Sequence, residues 1–340
     1  MSRQFWRTHV DTLSRNILFI GIQLGQNVHP YKKMLLKRQE EHLLRSLIQI
    51  DSEAAASVSY QGQELLLFCS NNYLGLANHA KLRKAAMDAI QTWGVGTGAA
   101  RLVSGNIALY TQLEEHLARF KHTESALVFS TGYMANIGAI SAIAQKGDLI
   151  LADRLNHASL IDGSRFSRAT FRVYRHKDMA HLEKLLKNRN TGRHTLIVTD
   201  GIFSMDGDIA PLPEILRLAE DYDATVYLDD AHATGVLGMN GKGTAEHFHV
   251  SSPKMIQMGT LSKALGVFGG FIAGPLDLIQ YLMNKARPFI YTTALPPSIL
   301  ASALAALTLI EDEPLLIKRL WENRNYLHQK LSELGFNTLG

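Results

Sequence analysis

Short apolar runs alternate with amphipathic segments along most of the chain. Eight short runs have the β-branched or aromatic content of strands, and seven of them are long enough to be buried strands: residues 65–69, 125–129, 149–152, 171–174, 196–199, 225–228, 255–258 and 271–273. Between many of them, apolar residues recur with the 3.6-residue period of a helix, at residues 81–93, 109–120, 135–144, 180–187 and 212–222. This alternation predicts an α/β fold whose mostly parallel sheet is covered by helices.

The two ends of the chain differ from this alternating middle. Residues 1–33 contain Trp6 and a short apolar run without a clear pairing partner, which favours a poorly packed N-terminal extension. Leucines between positions 35 and 47 predict an amphipathic helix that begins at Met34. A further helix is predicted near the C-terminus, over residues 316–334.

Composition and charge narrow the functional classes. The 340 residues are 46% hydrophobic and 19% charged, which suffices for one large core and a smaller second domain. The net charge of +4 is spread without a run of five basic residues, so neither charge nor pattern favours a nucleic-acid partner. No uninterrupted apolar stretch has the length of a membrane span. A single cysteine, Cys69, excludes an intrachain disulfide and suits a cytoplasmic protein.

Polar residues follow four of the predicted strands directly. In an open α/β sheet, ligands bind in the crevice outside the carboxyl ends of the strands. The clusters at these ends therefore belong to one edge and predict one site: residues 130–133, 200–206, 229–232 and 260–263.

Lys263 is the strongest candidate in these clusters. It follows an apolar strand and precedes a stretch rich in small residues, where burial would lower the pKa of its amine and leave it able to attack an aldehyde. Thr260 and Ser262 offer hydroxyls to phosphate oxygens. From residues 259–263 (GTLSK) alone, an ordinary solvated loop lysine is an equally good interpretation.

Asp229 and His232 favour a cofactor-binding role for Lys263 over that of a solvated loop lysine. A carboxylate at the end of a buried strand needs a cationic partner, and a protonated pyridine nitrogen is such a partner. His232, three residues on, could reach a phenolic oxygen of the same ring. Metal ligation is the alternative for this Asp-Asp-x-His sequence, but no third ligand cluster stands at a convincing spacing.

Four further residues are candidates because of their place after strands. Gly132 and Tyr133 begin a predicted helix, whose N-terminal N–H groups would bind an anion, although ordinary capping explains the same sequence. His157 could stack on a ring or bond a reacting group, or could be a helix cap. Ser204 carries the same ambiguity.

Taken together, five motifs resemble the α-oxoamine synthase family of pyridoxal-phosphate enzymes over roughly residues 40–340. They are SNNYLGL (70–76), LNHAS (155–159), FSMDG (203–207), DDAH (229–232) and GTLSK (259–263).

The resemblance implies the fold type I, aspartate-aminotransferase-like architecture, a homodimer, and pyridoxal 5′-phosphate held covalently as a Schiff base by Lys263. It implies that Asp229 contacts the pyridine nitrogen and that His157 stacks on the ring. His232 and Ser204 would lie near the phenolic oxygen. Contacts to the phosphate and its surroundings would come from Gly132, Tyr133, Thr260 and Ser262.

Within the family, residues 96–106, 130–136 and 291–297 most resemble the members that join L-alanine to a pimeloyl group carried on CoA or a carrier protein, with loss of carbon dioxide, in biotin biosynthesis. In that reaction Lys263 would be the general base, and His157 would orient the acyl group or the carboxylate. Two alternatives stay open: a relative that uses glycine or serine, such as a glycine C-acetyltransferase, and a non-catalytic partner subunit.

The resemblance also implies a domain division. The predicted parts are an N-terminal extension (1–33), an N-terminal segment of the small domain (34–75), a large cofactor-binding domain (76–298) and the start of a C-terminal small domain (299–340). Family members continue into a larger C-terminal domain with an arginine for the substrate carboxylate, so most of the small domain is expected to be missing here.

Overall fold

The computed structural model describes residues 29–338, which fall into two compact units divided between Gln49 and Ile50. In the first unit, helix α1 spans Pro30–Glu40 and has no buried residue. The helix predicted from Met34 therefore begins earlier, at a proline suited to a first turn. It also ends earlier, because His42 adopts a left-handed conformation (φ 56°) that stops it. Most of the predicted extension, residues 1–28, lies outside the described residues.

The second unit opens with an antiparallel hairpin of β1 (Ser57–Tyr60) and β2 (Gln63–Leu66). Its two-residue turn places Gln61 and Gly62 at φ 50° and 76°, the conformation that the twist of a tight hairpin requires. The strand predicted over residues 65–69 begins two residues earlier and ends three residues earlier in the structure, and β1 was not predicted. Both strands have four residues; β2 is exposed throughout and β1 fully buries only Val58, so burial leaves little pattern in their sequence.

A seven-stranded sheet forms the centre of this unit. Its strands are β3 (Ser125–Phe129), β4 (Leu149–Asp153), β5 (Thr170–Tyr174), β6 (Thr195–Asp200), β7 (Thr225–Asp229), β8 (Met255–Thr260) and β9 (Gly270–Gly274). They lie in the order β3-β9-β8-β7-β6-β4-β5, and β9 alone runs against its neighbours. The predicted mostly parallel sheet is confirmed, and each of these strands ends within two residues of its predicted bounds.

Helices flank the sheet. They are α2 (Ala80–Trp93), α3 (Ala108–Phe120), α4 (Gly132–Ile143), α5 (Ala158–Phe166), α6 (Met179–Lys187), α7 (Leu212–Asp221), α8 (Thr244–His247), α9 (Leu276–Lys285), α10 (Arg287–Ile290), α11 (Pro297–Asp312) and α12 (Leu315–Glu333). In β4, Ile150 and Ala152 join the core under α4, whereas Leu149 and Leu151 join the core under α6 and α7. Alternate residues of one strand thus face opposite layers, which confirms the doubly covered sheet.

Arg101 begins a single π-helical turn, Arg101–Gly105, and ties α3 to β3. Its guanidinium donates to both carboxylate oxygens of Glu114, at 2.6 and 2.8 Å, and to the Asn106 side chain. Glu114 in turn accepts the Val128 N–H at 2.7 Å. The same guanidinium lies 3.8 Å from the centre of the Tyr110 ring. Each partner of this buried pair is therefore hydrogen-bonded.

None of the helices within residues 29–338 combines the length and the apolar character needed to cross a membrane.

Candidate active site

The carboxyl ends of the central strands surround a cavity of about 190 Å³. Seven of the nine predicted site residues line it, so the prediction that the strand-end clusters share one edge is confirmed. The lining consists of Gly132, Tyr133, Asn136, His157, Ser159, Asp200, Asp229, Ala231, His232, Met258, Thr260 and Lys263.

Lys263 lies in a tight loop between β8 and β9. The loop is closed by hydrogen bonds from Leu261 N–H to Gly269 O (3.0 Å) and from Val267 N–H to Leu261 O (2.8 Å). Burial lowers the pKa of the Lys263 amine, against the attraction of Asp229 and Asp200, which raises it. Among the described residues the amine has no hydrogen-bond or ion-pair partner. It is thus a buried and unpaired amine with a lowered pKa.

Asp229 is the last residue of β7 and is almost fully buried. One carboxylate oxygen accepts the Asn136 side-chain N–H at 2.7 Å, and the other accepts the Ala231 backbone N–H at 2.9 Å. Burial raises the pKa of Asp229, although these two bonds and the charge of Lys263 act against the rise. Each oxygen retains a lone pair for one further donor.

Asp200 is a second buried carboxylate that the sequence analysis did not single out. It pairs in register with Asp229 on the neighbouring strand, and it accepts the His157 backbone N–H at 2.8 Å. Burial and the charge of Asp229 raise its pKa well above the ordinary value. The signal that identified Asp229, an acidic residue at the end of a buried strand, would also have identified Asp200. Two carboxylates therefore face a single amine, and the site favours a further cation.

Asn136 links Asp229 to His157 through the Ser159 hydroxyl. The Tyr227 hydroxyl donates to the Asn136 carbonyl oxygen at 2.8 Å. The amide nitrogen of Asn136 donates to Asp229 and to the Ser159 hydroxyl, at 2.7 and 2.8 Å. Because a carboxylate only accepts, the amide orientation is fixed by this network. Asn136 thus holds Asp229 in place from the first turns of α4.

His157 caps helix α5, and this cap determines its tautomer. Its Nδ1 lies 3.3 Å from the Ser159 backbone nitrogen and 2.7 Å from the Ser159 hydroxyl. A backbone N–H can only donate, so Nδ1 accepts and the proton of the neutral ring lies on Nε2. The ring therefore offers a donor rather than an acceptor at its free nitrogen. His157 is both the cap and a wall of the cavity, and the two interpretations of the sequence are compatible.

His232 is a neutral member of the site. Its Nδ1 lies 2.7 Å from the Tyr73 hydroxyl. Burial, together with the charges of Lys263 and His157, lowers the pKa of His232 to about 4. Burial also raises the pKa of Tyr73, so the phenol keeps its proton. Tyr73 was quoted in a motif but not predicted as a site residue.

The first residues of helix α4, Gly132 and Tyr133, line the cavity. Thr131 caps the helix by accepting the Met134 N–H at 3.0 Å, whereas Gly132 and Tyr133 belong to the first turn, where N–H groups have no partner within the helix. A Cβ on Gly270 would lie 2.6 Å from the Gly132 Cα, so glycine lets the start of the helix sit directly on β9. This N-terminus is suited to an anion.

Three predicted hydroxyl contacts differ in placement. The Thr260 and Ser262 hydroxyls donate to the Gly269 carbonyl at 2.9 and 3.2 Å, so each would have to rotate to donate to a phosphate oxygen. Ser262 is exposed and lies outside the lining of the cavity. Ser204 lines a neighbouring, more apolar cavity that shares His232. The roles of all three stay predictions.

Comparison with known proteins identifies the family. The profile of the aminotransferase class I and II family matches residues 63–340. The 8-amino-7-oxononanoate synthase of Thermoanaerobacter pseudethanolicus is 48% identical over 308 residues, which are 90% of this chain and 78% of that protein. The enzyme of the same name from Bacillus pumilus is 50% identical over 301 residues, 88% and 76% of the two chains.

The chain belongs to the α-oxoamine synthase family. The fold agrees, because a solved structure of SPT with its PLP internal aldimine superposes with a TM-score of 0.85 at 31% identity, covering 90% of this chain and 78% of that one. The recognition made from the five motifs, the fold type I architecture and the dependence on pyridoxal phosphate are confirmed.

The cavity of this α-oxoamine synthase fits pyridoxal phosphate on two observations of its own. The excess of two buried carboxylates over one amine matches a protonated pyridine nitrogen at Asp229. The N-terminus of α4, which lines the same cavity through Gly132 and Tyr133, matches the phosphate. Within the described part of the chain, no three His, Cys, Asp or Glu side chains are grouped to hold a metal ion.

Proposed function

We propose that the chain catalyses the decarboxylative condensation of L-alanine with a pimeloyl thioester to give 8-amino-7-oxononanoate, in the biosynthesis of biotin. The observation that carries the proposal is the unpaired amine of Lys263, buried beside two carboxylates at the strand ends. Support for the substrates comes from relatives named 8-amino-7-oxononanoate synthase, among them the Geotalea daltonii protein at 51% identity and the Bacillus subtilis protein at 46%.

Asp229 would hold the pyridine nitrogen of the cofactor, and Asn136 keeps the Asp229 carboxylate turned into the cavity. When bound, pyridoxal phosphate supplies an electron sink for the carbanion that forms at the α-carbon of the amino acid. The first turn of α4 would bind the phosphate. His232, neutral at physiological pH because of its lowered pKa, can share a hydrogen bond with the phenolic oxygen without adding positive charge.

Lys263 would hold the cofactor and then move the proton of the α-carbon. Its lowered pKa keeps a larger fraction of the amine neutral, as a base requires. His157 is fixed by its Nδ1 as a donor through Nε2, so it would bond the oxygen of the amino-acid carboxylate or of the acyl group. Loss of the thiol and of carbon dioxide completes the balance of the condensation.

A homodimer in the cytoplasm is part of the proposal. Large apolar side chains are exposed on two segments that pack together through the Ala294 N–H and the Ala99 carbonyl, 3.0 Å apart. Such clusters mark interaction surfaces, and a second copy is the partner that fits the family. The exposed side chains include Val95, Leu102, Val103 and Tyr291. The exposed thiol of Cys69 suits a reducing compartment.

The decisive test offers the purified protein, with pyridoxal phosphate, three amino acids and four thioesters: pimeloyl-CoA, a pimeloyl carrier protein, acetyl-CoA and palmitoyl-CoA. Release of thiol would be measured, and the product identified by mass. We expect turnover with L-alanine and a pimeloyl thioester. Turnover with glycine or serine instead of L-alanine would contradict the substrate assignment. A chain that binds the cofactor but shows no turnover would favour the alternative of a non-catalytic subunit.

A further inference from the structure

His176 lies outside the cavity, between two carboxylates. Its Nδ1 is 2.9 Å from an oxygen of Asp153, and its Nε2 is 2.9 Å from an oxygen of Asp208. Both ring nitrogens must carry a proton to donate to these oxygens, so the geometry requires the charged imidazolium. Burial lowers the pKa of His176, but the two acidic partners together raise it above its ordinary value.

The Asp153 end of this bridge belongs to the loop that carries His157. Asp153 is the last residue of β4 and is fully buried. The oxygen that meets His176 also accepts the Leu155 N–H at 2.9 Å, and the other oxygen accepts the Lys177 N–H at 2.9 Å. Asp153 thus fixes the first residues of the loop that leads to His157.

The Asp208 end belongs to the loop that carries Ser204. This loop is a small hairpin, closed by an antiparallel bridge between Ile202 and Ile209 and by the Phe203 N–H donating to the Asp208 carbonyl at 3.0 Å. The His176 ring also meets the buried Phe203 ring edge-on, with centroids 4.5 Å apart. His176 therefore contacts the residue directly before Ser204 and the strand that returns after it.

The two carboxylates of this bridge, Asp153 and Asp208, need positive charge between them. Lys177 donates to the same Asp208 oxygen at 2.9 Å, so two cations balance the two carboxylates. If His176 were neutral or absent, Asp153 and Asp208 would face each other with Lys177 alone between the loops. Repulsion would then drive the Ser204 hairpin away from β4.

We propose that His176 is a positioning residue, which fixes the Ser204 loop against the His157 loop and thereby sets how tightly the chain binds pyridoxal phosphate. The inference rests on the proposed function, in which His157 contacts the substrates, and on the predicted place of Ser204 near the phenolic oxygen of the cofactor, next to the His232 that both cavities share.

A double-mutant cycle tests the inference, with the Kd of pyridoxal phosphate for the apoprotein as its readout. The variants are His176→Gln, Ser204→Ala and the two combined. If His176 acts through Ser204, His176→Gln raises the Kd about tenfold in the parent chain. When Ser204 is already alanine, the factor by which His176→Gln raises the Kd is at least about fivefold smaller. Asp208→Asn, which keeps the histidine but weakens the bridge, is expected to show the same coupling.

His116→Gln is the matched control, because His116 makes a comparable contact with Glu311 (2.7 Å) away from the cavity. It is expected to leave the Kd unchanged and to add to Ser204→Ala without coupling. Additive effects of His176→Gln and Asp208→Asn with Ser204→Ala would overturn the inference alone. If the unaltered chain does not bind pyridoxal phosphate, both the proposed function and this inference fail.

Discussion

Two buried clusters of charge in this protein are built in opposite ways. Around Arg101, the guanidinium and the Glu114 carboxylate are paired through two short hydrogen bonds, and the remaining donors find Asn106 and the Val128 carbonyl. At the strand ends, Lys263 has no such partner among the described residues, and Asp200 lies beside another carboxylate.

The difference separates a structural role from a chemical one. A buried pair that satisfies all its partners holds two elements together, and its removal costs stability. A buried amine without a partner, beside carboxylates with raised pKa values, costs the fold free energy that ligand binding can recover. The next predictions test that distinction, from the largest expected effect to the smallest.

Lys263→Ala is expected to lower kcat/KM for thiol release at least about 1000-fold, because it removes both the attachment point and the base. The thermal unfolding temperature of the apoprotein should not fall, since the substitution removes no hydrogen bond or ion pair and relieves the cost of burying an unpaired amine. Lys254→Ala is the control, as Lys254 pairs with Asp223 outside the cavity lining. A variant that keeps more than a tenth of the activity would contradict the assignment.

Arg101→Lys is expected to destabilise the fold by about 2 kcal/mol, since an ammonium cannot form the bidentate contact with Glu114 or cover the Tyr110 ring in the same way. The free energy of unfolding in urea measures this effect. Arg217→Lys, at an exposed pair with Asp221, is expected to cost almost nothing. An equal loss of unfolding free energy in both variants would contradict the structural role given to the Arg101 cluster.

Asp200→Asn is expected to stabilise the apoprotein by about 1 kcal/mol, because it removes a buried charge that repels Asp229. The same charge raises the pKa of Lys263, so its loss lowers that pKa further. The pH midpoint for the rate of reconstitution with pyridoxal phosphate should therefore move towards acid. An unchanged or more alkaline midpoint would show that Asp200 does not act on Lys263, and Asp221→Asn serves as the control.

The smallest effect concerns His176. Its folded-state pKa is raised above the ordinary value of about 6.5, so the stability it contributes is full below that value and is lost as pH rises through the folded pKa. The difference in urea midpoint between the parent chain and His176→Gln is therefore expected to shrink from acidic to alkaline pH. A difference that grows with pH would refute the charged bridge.

The sequence predicted the sheet well because its strands are buried on both faces. Runs such as residues 196–199 and 225–228 are apolar except for one β-branched threonine each, Thr199 and Thr225, and such continuous runs are typical of buried parallel strands. The helix expected from Met34 was wrong at both ends, because leucines that stay exposed mimic the pattern of a buried face. The β1 strand was not predicted for a different reason: only one of its four residues, Val58, is fully buried, which is too little to give a clear pattern.

The site was predictable where one residue performs one kind of chemistry. Lys263 and Asp229 could be identified from a strand end and a charge that needs a partner. Asn136 and Ser159 could not, because their roles depend on side chains more than 20 residues away, such as Asp229, and an asparagine within a helix has no distinctive pattern. Resemblance to a family supplied the cofactor, and the structure supplied the hydrogen-bond network that Asn136 forms with Asp229 and Ser159.

The contact between Gly132 and Gly270 has a consequence for anyone who redesigns this protein. A methyl group added at Gly270 would lie 2.6 Å from the Gly132 Cα, so the start of the helix would have to shift to admit it, and one added at Gly132 would press on the end of the Met258 side chain. Libraries aimed at new acyl chains would gain by sparing both positions and varying the walls around Ser204 instead. Every variant would then keep the N-terminus of α4, the proposed phosphate site, unchanged.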